Sequence, residues 1–132
     1  MVYFAAGLLG LVPEALLLAP PDAPQVHVTL FNGYLLGLFP VNILHSAVHL
    51  AVGVWGILAG RSLMSPTLYA RSIAIGFSAL AVMGLIPELN TLCGLLPLEG
   101  HDVWLHGGTA AIAAYAGWRP LGVLRMPLKR ER

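Results

Sequence analysis

The chain has 132 residues, of which 58% are hydrophobic and only 10% are Asp, Glu, Lys or Arg. A soluble domain normally has about a quarter of its residues charged, so this composition favours an integral membrane protein over a soluble one. The length allows one compact domain of about four membrane spans and excludes a separate soluble domain. The single cysteine, Cys93, excludes an intrachain disulfide and a thiolate metal cluster.

The first apolar segment, residues 2–18, is predicted to be a transmembrane helix that is kinked at Pro13. A helix that stopped at Pro13 would be about 18 Å long, too short to cross a ~30 Å hydrocarbon core. The first residues lack the basic stretch of a secretory signal, so we expect a span rather than a cleaved leader. Prolines forbid a regular helix over residues 19–25, and residues 26–39 are expected to form a short interfacial or re-entrant segment.

The second and third predicted spans are the most regular. Residues 40–60 are long enough to cross the core, and they carry no charge at neutral pH. Pro40 is predicted to be the first helical residue, where a missing N–H costs nothing. After a loop over residues 61–67, Pro66 is predicted to open the third span, residues 68–86.

The fourth predicted span, residues 101–118, begins at His101 and Asp102. Both residues suit a helix N-terminus, through side-chain capping and through the helix dipole. The predicted fold class is therefore an all-α integral membrane bundle of four transmembrane helices over residues 1–119. A basic cytoplasmic tail, residues 120–132, is predicted to follow.

The charges predict the topology. The seven basic residues fall after the second span, at the start of the third, or after the fourth: Arg61, Arg71, Arg119, Arg125, Lys129, Arg130 and Arg132. Five of the six acidic residues fall at the opposite ends of the spans: Glu14, Asp22, Glu88, Glu99 and Asp102. Because basic residues stay on the cytoplasmic side, both termini are predicted to be cytoplasmic and the loop 88–100 to lie outside. The basic tail is expected to contact anionic lipid head groups rather than nucleic acid.

Polar residues form a stripe on two of the predicted spans. His45 and His49 are four residues apart, so their imidazoles lie on one helix face, with Asn42 one turn before His45. Asp102 lies one turn before His106 on the fourth span. His45 and His106 both lie about 7–8 Å below the outer helix ends. If the second and fourth spans are neighbours, these five residues form one polar cluster within the membrane.

Two interpretations of this cluster stay open. Imidazoles at i and i+4 can share a transition-metal ion such as zinc, copper or iron, with His106 as the third ligand and Asp102 orienting a histidine. A single imidazole can equally be the axial ligand of a haem iron or of a chlorophyll magnesium. The alternative is a structural network of interhelical hydrogen bonds, each worth about 0.6–2 kcal/mol, without any ligand.

Several segments together resemble a known family. They are residues 7–13, residues 37–56 with the pattern N-x-x-H-x-x-x-H, residues 69–71, and the D-x-W-L-H pattern at residues 102–106. These segments are similar to the DUF4383 family of small bacterial membrane proteins, over nearly all of the chain up to Trp118. The resemblance implies four predicted spans and no assigned activity. It favours treating the five polar residues as one unit.

Two functional hypotheses follow. The sequence contains no glycine-rich phosphate loop, nucleophile elbow or paired catalytic carboxylates, so we expect a non-catalytic role. The first hypothesis is an accessory or structural subunit of a larger respiratory or photosynthetic membrane complex. Gly56 and Gly60 form a small-xxx-small pair that suits either an interface with such a partner or ordinary packing inside the bundle. The second is an independent membrane protein that binds a metal ion, haem or chlorophyll through His45, His49 and His106.

Both hypotheses predict the same surroundings. They place the chain in a bacterial inner membrane or a thylakoid membrane. The expected partners are the lipid bilayer and either other membrane subunits or further copies of this chain. No nucleic acid is expected as a partner.

Overall fold

A computed structural model describes residues 1–119 of the chain. This part is mostly helical and contains one small sheet. In chain order the elements are α1 (Val2–Leu9), a 3-10 turn (Pro13–Ala15), β1 (Leu16–Leu17), β2 (Gly33–Leu35), β3 (Phe39–Val41), α2 (Ile43–Gly60), α3 (Pro66–Gly84) and α4 (His101–Trp118).

Two helices, α2 and α3, are long and apolar enough to cross a membrane. α3 begins at Pro66 as predicted, and the Ser65 side chain accepts a hydrogen bond from the Leu68 N–H. α4 covers the residues of the fourth predicted span, but it is less hydrophobic than α2 and α3. Two candidate spans, rather than four, are therefore present among the described residues. A membrane crossing by α4 stays a prediction.

The predicted kinked helix over residues 2–18 is wrong. α1 ends at Leu9, and its eight residues extend about 12 Å, too short to cross a membrane. Pro13 instead begins the 3-10 turn. A proline ring clashes with the preceding helical turn and lacks an N–H donor, so the helix does not continue through it. The leucines that follow, Leu16 and Leu17, pair with β2 instead.

The all-α fold class is also corrected, because the chain between α1 and α2 forms a small three-stranded sheet. The antiparallel sheet has the order β1-β2-β3, and Leu35 pairs with Leu16 on one side and with Phe39 on the other. The turn between β2 and β3 places both Leu36 (φ 55°) and Gly37 (φ 71°) in the left-handed region. Such a turn matches the twist of a tight hairpin.

Pro40 lies in the edge strand β3 and is not the first residue of a helix. An edge strand tolerates proline because the missing donor is not needed by a neighbouring strand. α2 therefore starts three residues later, with Asn42 as its N-cap. The N-terminus of α4 also differs from the prediction, since Gly100 (φ 66°) is the N-cap and Asp102 is fully buried.

The helices pack most closely as two pairs, α1 with α2 and α3 with α4. Gly7 and Gly53 allow α1 and α2 to approach closely, since a Cβ at Gly53 would collide with the backbone of Phe4. Phe77 belongs to a core cluster that joins the two pairs, and Tyr3 packs against it. At the other end, Arg71 Nε donates to the Gly117 carbonyl at 2.9 Å.

The small-xxx-small pair does not form one close helix contact among the described residues. Gly56 packs on the ring of Tyr69, whereas Gly60 has open space around it. The predicted basic tail, residues 120–132, lies outside the described residues. The cytoplasmic placement of both termini stays a prediction.

Candidate metal centre

Three buried histidines meet where α2 faces α4. His45, His49 and His106 are 2%, 4% and 1% exposed, and we call them the histidine cluster. The Nε2 atoms of His45 and His49 are 3.2 Å apart. One ring nitrogen from each of the three histidines lies within 4.8 Å of the others. The i, i+4 spacing on α2 supplies two of these rings, and α4 supplies the third, which stacks on His45 at a centroid distance of 5.9 Å.

Asn42 fixes the position of the cluster without being part of it. Its Oδ1 accepts a hydrogen bond from the backbone N–H of His45 at 3.0 Å. Its Nδ2 donates to the carbonyls of Val28 (3.1 Å) and Leu95 (2.8 Å). The amide is therefore fully occupied by backbone partners. Asn42 starts α2 and ties it to two loops, so it sets the depth at which His45 lies.

Asp102 lies within the cluster. Its Oδ2 is 3.1 Å from His106 Nδ1 and 3.9 Å from His45 Nε2, and the residue is fully buried. The 3.1 Å contact pairs Oδ2 with His106, whereas Oδ1 has no hydrogen-bond partner within residues 1–119. Removing a carboxylate from water without a full set of partners is costly. The structure thus brings Asp102 and the three histidines together and places Asn42 apart from them.

The ring nitrogens on the far side of the cluster have unequal surroundings. Over the described residues, His49 Nδ1 is buried without a hydrogen bond, whereas the His45 ring lies within hydrogen-bonding reach of the carbonyls of Pro40 and Pro97. Because the large majority of buried polar atoms in proteins have a partner, the incomplete pairing of His49 favours a site that accepts a further ligand. Imidazole nitrogen and carboxylate oxygen are both metal ligands.

Aromatic residues enclose the cluster. The ring of Phe77 meets His106 edge-on at 4.8 Å, and the ring of Tyr3 meets His49 edge-on at 5.1 Å, both between centroids. The Tyr3 hydroxyl is hydrogen-bonded to Thr109 Oγ1 at 2.6 Å. Sequence reasoning missed Tyr3 and Phe77, because neither residue has a fixed spacing to the histidines along the chain.

The spacing of the two histidines on α2 suits a metal ion better than a macrocycle. Two nitrogens bound to one tetrahedral zinc at about 2.0–2.1 Å would be about 3.3 Å apart, close to the spacing of the two Nε2 atoms. A hydrogen bond between the neutral imidazoles of His45 and His49 would give a similar distance between the two Nε2 atoms. An axial ligand of haem or chlorophyll would need one nitrogen turned towards a wide slot. In this structure the Nε2 atoms of His45 and His49 face each other instead.

Fold and site together define a small, mostly helical protein with two candidate membrane helices and a buried cluster of three histidines and an aspartate. The chain matches the family model DUF4383, a domain of unknown function, over residues 1–119. It belongs to this family, which confirms the resemblance found in the sequence. No curated protein and no solved structure shows significant similarity to the chain.

Proposed function

We propose that this chain is a small integral membrane protein that holds one transition-metal ion in the histidine cluster. The observation that carries the proposal is the convergence of three buried ring nitrogens within 4.8 Å of one another. Of the two hypotheses from the sequence, the geometry favours the metal-binding one. It favours an ion over haem or chlorophyll because the histidine nitrogens face one another.

The donor set suggests the kind of ion. Imidazole suits zinc, copper, iron and nickel, whereas thiolate ligands, which select softer ions, are absent from the cluster. Asp102 beside His106 Nδ1 would hold that nitrogen as the protonated one and leave Nε2 to bind the ion. The single negative charge of Asp102 would offset part of the charge of a divalent ion in this buried place.

The position of the cluster suggests what the ion does. His45 and His49 belong to the α1–α2 pair, and His106 belongs to the α3–α4 pair. An ion held by all three would therefore cross-link the two helix pairs. Because a structural metal site contributes its binding free energy to folding, the ion would stabilise the bundle. Three protein ligands would also leave a fourth coordination position for another ligand.

Metal analysis of the purified full-length protein tests the proposal. We expect about one ion per chain in the wild type, as in a single three-histidine site, and loss of that ion in His45→Ala, His49→Ala and His106→Ala. The matched controls are His27→Ala and His101→Ala, because both of these histidines are exposed. Substoichiometric metal in the wild type, or metal retained by the three cluster variants, would overturn the proposal.

The membrane location and the topology have a separate test. Cys93 is exposed and lies in the loop predicted to be outside the inner membrane. A maleimide that cannot cross this membrane should therefore label Cys93 in intact cells, once any outer membrane has been made permeable to the reagent. In a Cys93→Ser background, Met64→Cys should stay unlabelled, because residue 64 follows α2 on the predicted cytoplasmic side. Labelling of Met64→Cys from outside would refute this topology.

A second candidate function is an accessory subunit of a larger membrane complex. An exposed stripe on α4 favours it: Trp104, Ile112 and Tyr115 are 75%, 73% and 71% exposed, and Gly108 has open space around it among the described residues. Either lipid or another subunit can cover such a face. Native mass spectrometry after mild solubilisation separates the two. A particle of monomer or dimer mass that carries the metal favours the metal-binding proposal, and a larger hetero-oligomer favours the accessory role.

A further inference from the structure

An apolar cavity of about 440 Å³ reaches the histidine cluster from the surface of the protein. It lies between α1, the turn from β2 to β3, and α4. Its rim includes Val2 and Leu36, which are 72% and 70% exposed, whereas Val41 and His49 at its inner end are 1% and 4% exposed. The cavity therefore runs from an open mouth to a buried end formed in part by one of the three proposed metal ligands.

The wall of the cavity is entirely apolar, so His49 contributes ring carbon atoms and not a nitrogen. An ordered water in a protein needs two to four polar partners, and this wall offers none. The volume falls within the range of about 300–1,000 Å³ that is typical of small-molecule sites. An unfilled space of this size would be unfavourable for packing. This wall therefore favours an apolar occupant, such as a hydrocarbon chain, over water or a polar ligand.

We propose that the cavity binds the alkyl chain of a lipid, which passes between Val2 and Leu36 and ends against the ring of His49. This inference rests on the membrane location proposed above, in which the bilayer supplies such chains around the apolar surface of the protein. The chain can belong to a phospholipid or to a free fatty acid, because the wall recognises the hydrocarbon alone. The polar head group then stays outside the mouth, where it does not need to be desolvated.

One consequence rests on the proposed metal site. A chain packed against the carbon edge of His49 would restrict the rotation of this imidazole, whose Nε2 faces His45. Occupancy of the cavity would then change the affinity for the ion, and by linkage the ion would change the affinity for the chain by the same factor. The cavity would make the metal site sensitive to the surrounding lipid.

Photo-crosslinking in nanodiscs tests chain binding without reference to metal. The full-length protein is reconstituted once with a fatty acid and once with a phosphatidylcholine, each with a diazirine at the end of the alkyl chain. After illumination, mass spectrometry locates the adducts. We expect adducts at Val41 or Leu105, which line the cavity, beside the general labelling of exposed residues such as Ile112. Labelling by one probe alone identifies the source of the chain.

Variants that fill the cavity provide the control. Ala6→Phe places a ring inside it, and Val2→Trp narrows its exposed mouth in case the first variant does not fold. We expect about tenfold less labelling at Val41 and Leu105 in either variant, equivalent to about 1.4 kcal/mol of chain binding. Ala111→Phe, on the exposed face of α4, should leave the labelling unchanged.

The outcomes separate this inference from the metal proposal. Labelling confined to exposed residues in the wild type, or unchanged labelling of the cavity residues in folded Ala6→Phe and Val2→Trp, would overturn the cavity proposal. Chain labelling that persists in metal-free protein and in His45→Ala supports the cavity even if the metal site fails. The coupling is read from the cobalt affinity and the visible spectrum of cobalt-loaded wild-type protein in nanodiscs and of Ala6→Phe, whose ring fills the cavity, and both should differ from those of the wild type in a short-chain detergent. An unchanged spectrum would refute the coupling.

Discussion

Asn42 and Asp102 are both fully buried polar residues near the same end of the bundle, yet their surroundings are opposite. The Asn42 side chain makes three hydrogen bonds to backbone atoms. Asp102 Oδ1 has no partner within residues 1–119, and Oδ2 meets only ring nitrogens, at 3.1 and 3.9 Å. A buried polar group that is fully paired with backbone atoms serves the fold, whereas one that is only partly paired, and with metal-ligand atoms, is suited to holding something else.

Asn42, the fully paired residue, is expected to matter most for stability. Asn42→Ala removes the N-cap of α2 and leaves the carbonyls of Val28 and Leu95 without their donor. We expect a loss of about 2–4 kcal/mol in the free energy of unfolding. Denaturant unfolding in detergent micelles measures it, with the exposed Asn32→Ala as control. Metal bound per folded chain should stay the same, and a stability equal to that of the control would contradict the role given to Asn42.

Asp102→Asn tests the partly paired residue. The substitution keeps the shape of the side chain and an oxygen that can face His106 Nδ1, but it removes the buried charge, so the metal-free protein should keep or gain stability. Metal affinity should fall about 10–100-fold, as expected when a carboxylate that orients a histidine ligand is lost. Competition with a chelator of known affinity measures this change. Unchanged metal affinity together with a large loss of stability would assign Asp102 to the structural class of Asn42.

Tyr3→Phe sharpens the boundary between the two classes. It keeps the ring against His49 and deletes the hydroxyl that bonds Thr109. We expect a loss of about 0.5–1.5 kcal/mol in stability, the value of one hydrogen bond, and an unchanged metal content. Combining it with Thr109→Val should add little further loss, because the two changes delete the same bond. Loss of metal in Tyr3→Phe would mean that the hydroxyl belongs to the site.

The smallest expected effect lies in the sheet. Burial, followed by the hydrogen bond to Glu99, raises the pKa of Tyr34. Since the folded state binds this proton more tightly than the unfolded state, the contribution to stability is complete below the normal tyrosine pKa of about 10 and is lost as the pH rises beyond it. Melting curves recorded from neutral to alkaline pH should show this loss, and Tyr34→Phe should reduce it. An identical alkaline loss in both proteins would refute the assignment.

The sequence was most informative where a helical period decides the structure. The four-residue spacing of His45 and His49, and of Asp102 and His106, follows directly from the geometry of a helix. These are the residues that the structure brings together. The equal depth of His45 and His106 could be predicted from the positions of the helix ends, so a contact between α2 and α4 could be proposed. The aromatic contacts of Tyr3 and Phe77 could not, because they depend on tertiary packing that no local sequence pattern contains.

The residues between α1 and α2 were least predictable. Leu16 and Leu17 look like the end of an apolar helix, but they pair with strand residues that are 17–19 positions away in the chain. The tight turn at Leu36 and Gly37 lacks the Asn-Gly or Asp-Gly pair that normally marks a hairpin. Asn42 was assigned to the polar cluster from its helical spacing, although as the N-cap it directs its amide to the backbone. Capping and strand pairing overrode the apolar pattern in this region.

The proposed ion between the two helix pairs has His45, His49 and His106 as its ligands. X-ray absorption fine structure of the purified full-length protein, loaded with one equivalent of zinc, reports these ligands. We expect three imidazole nitrogens at about 2.0–2.1 Å from the zinc, with the outer-shell scattering of histidine rings. A first shell of oxygen atoms alone, or the same histidine signal in His106→Ala as in the wild type, would contradict this ligand assignment.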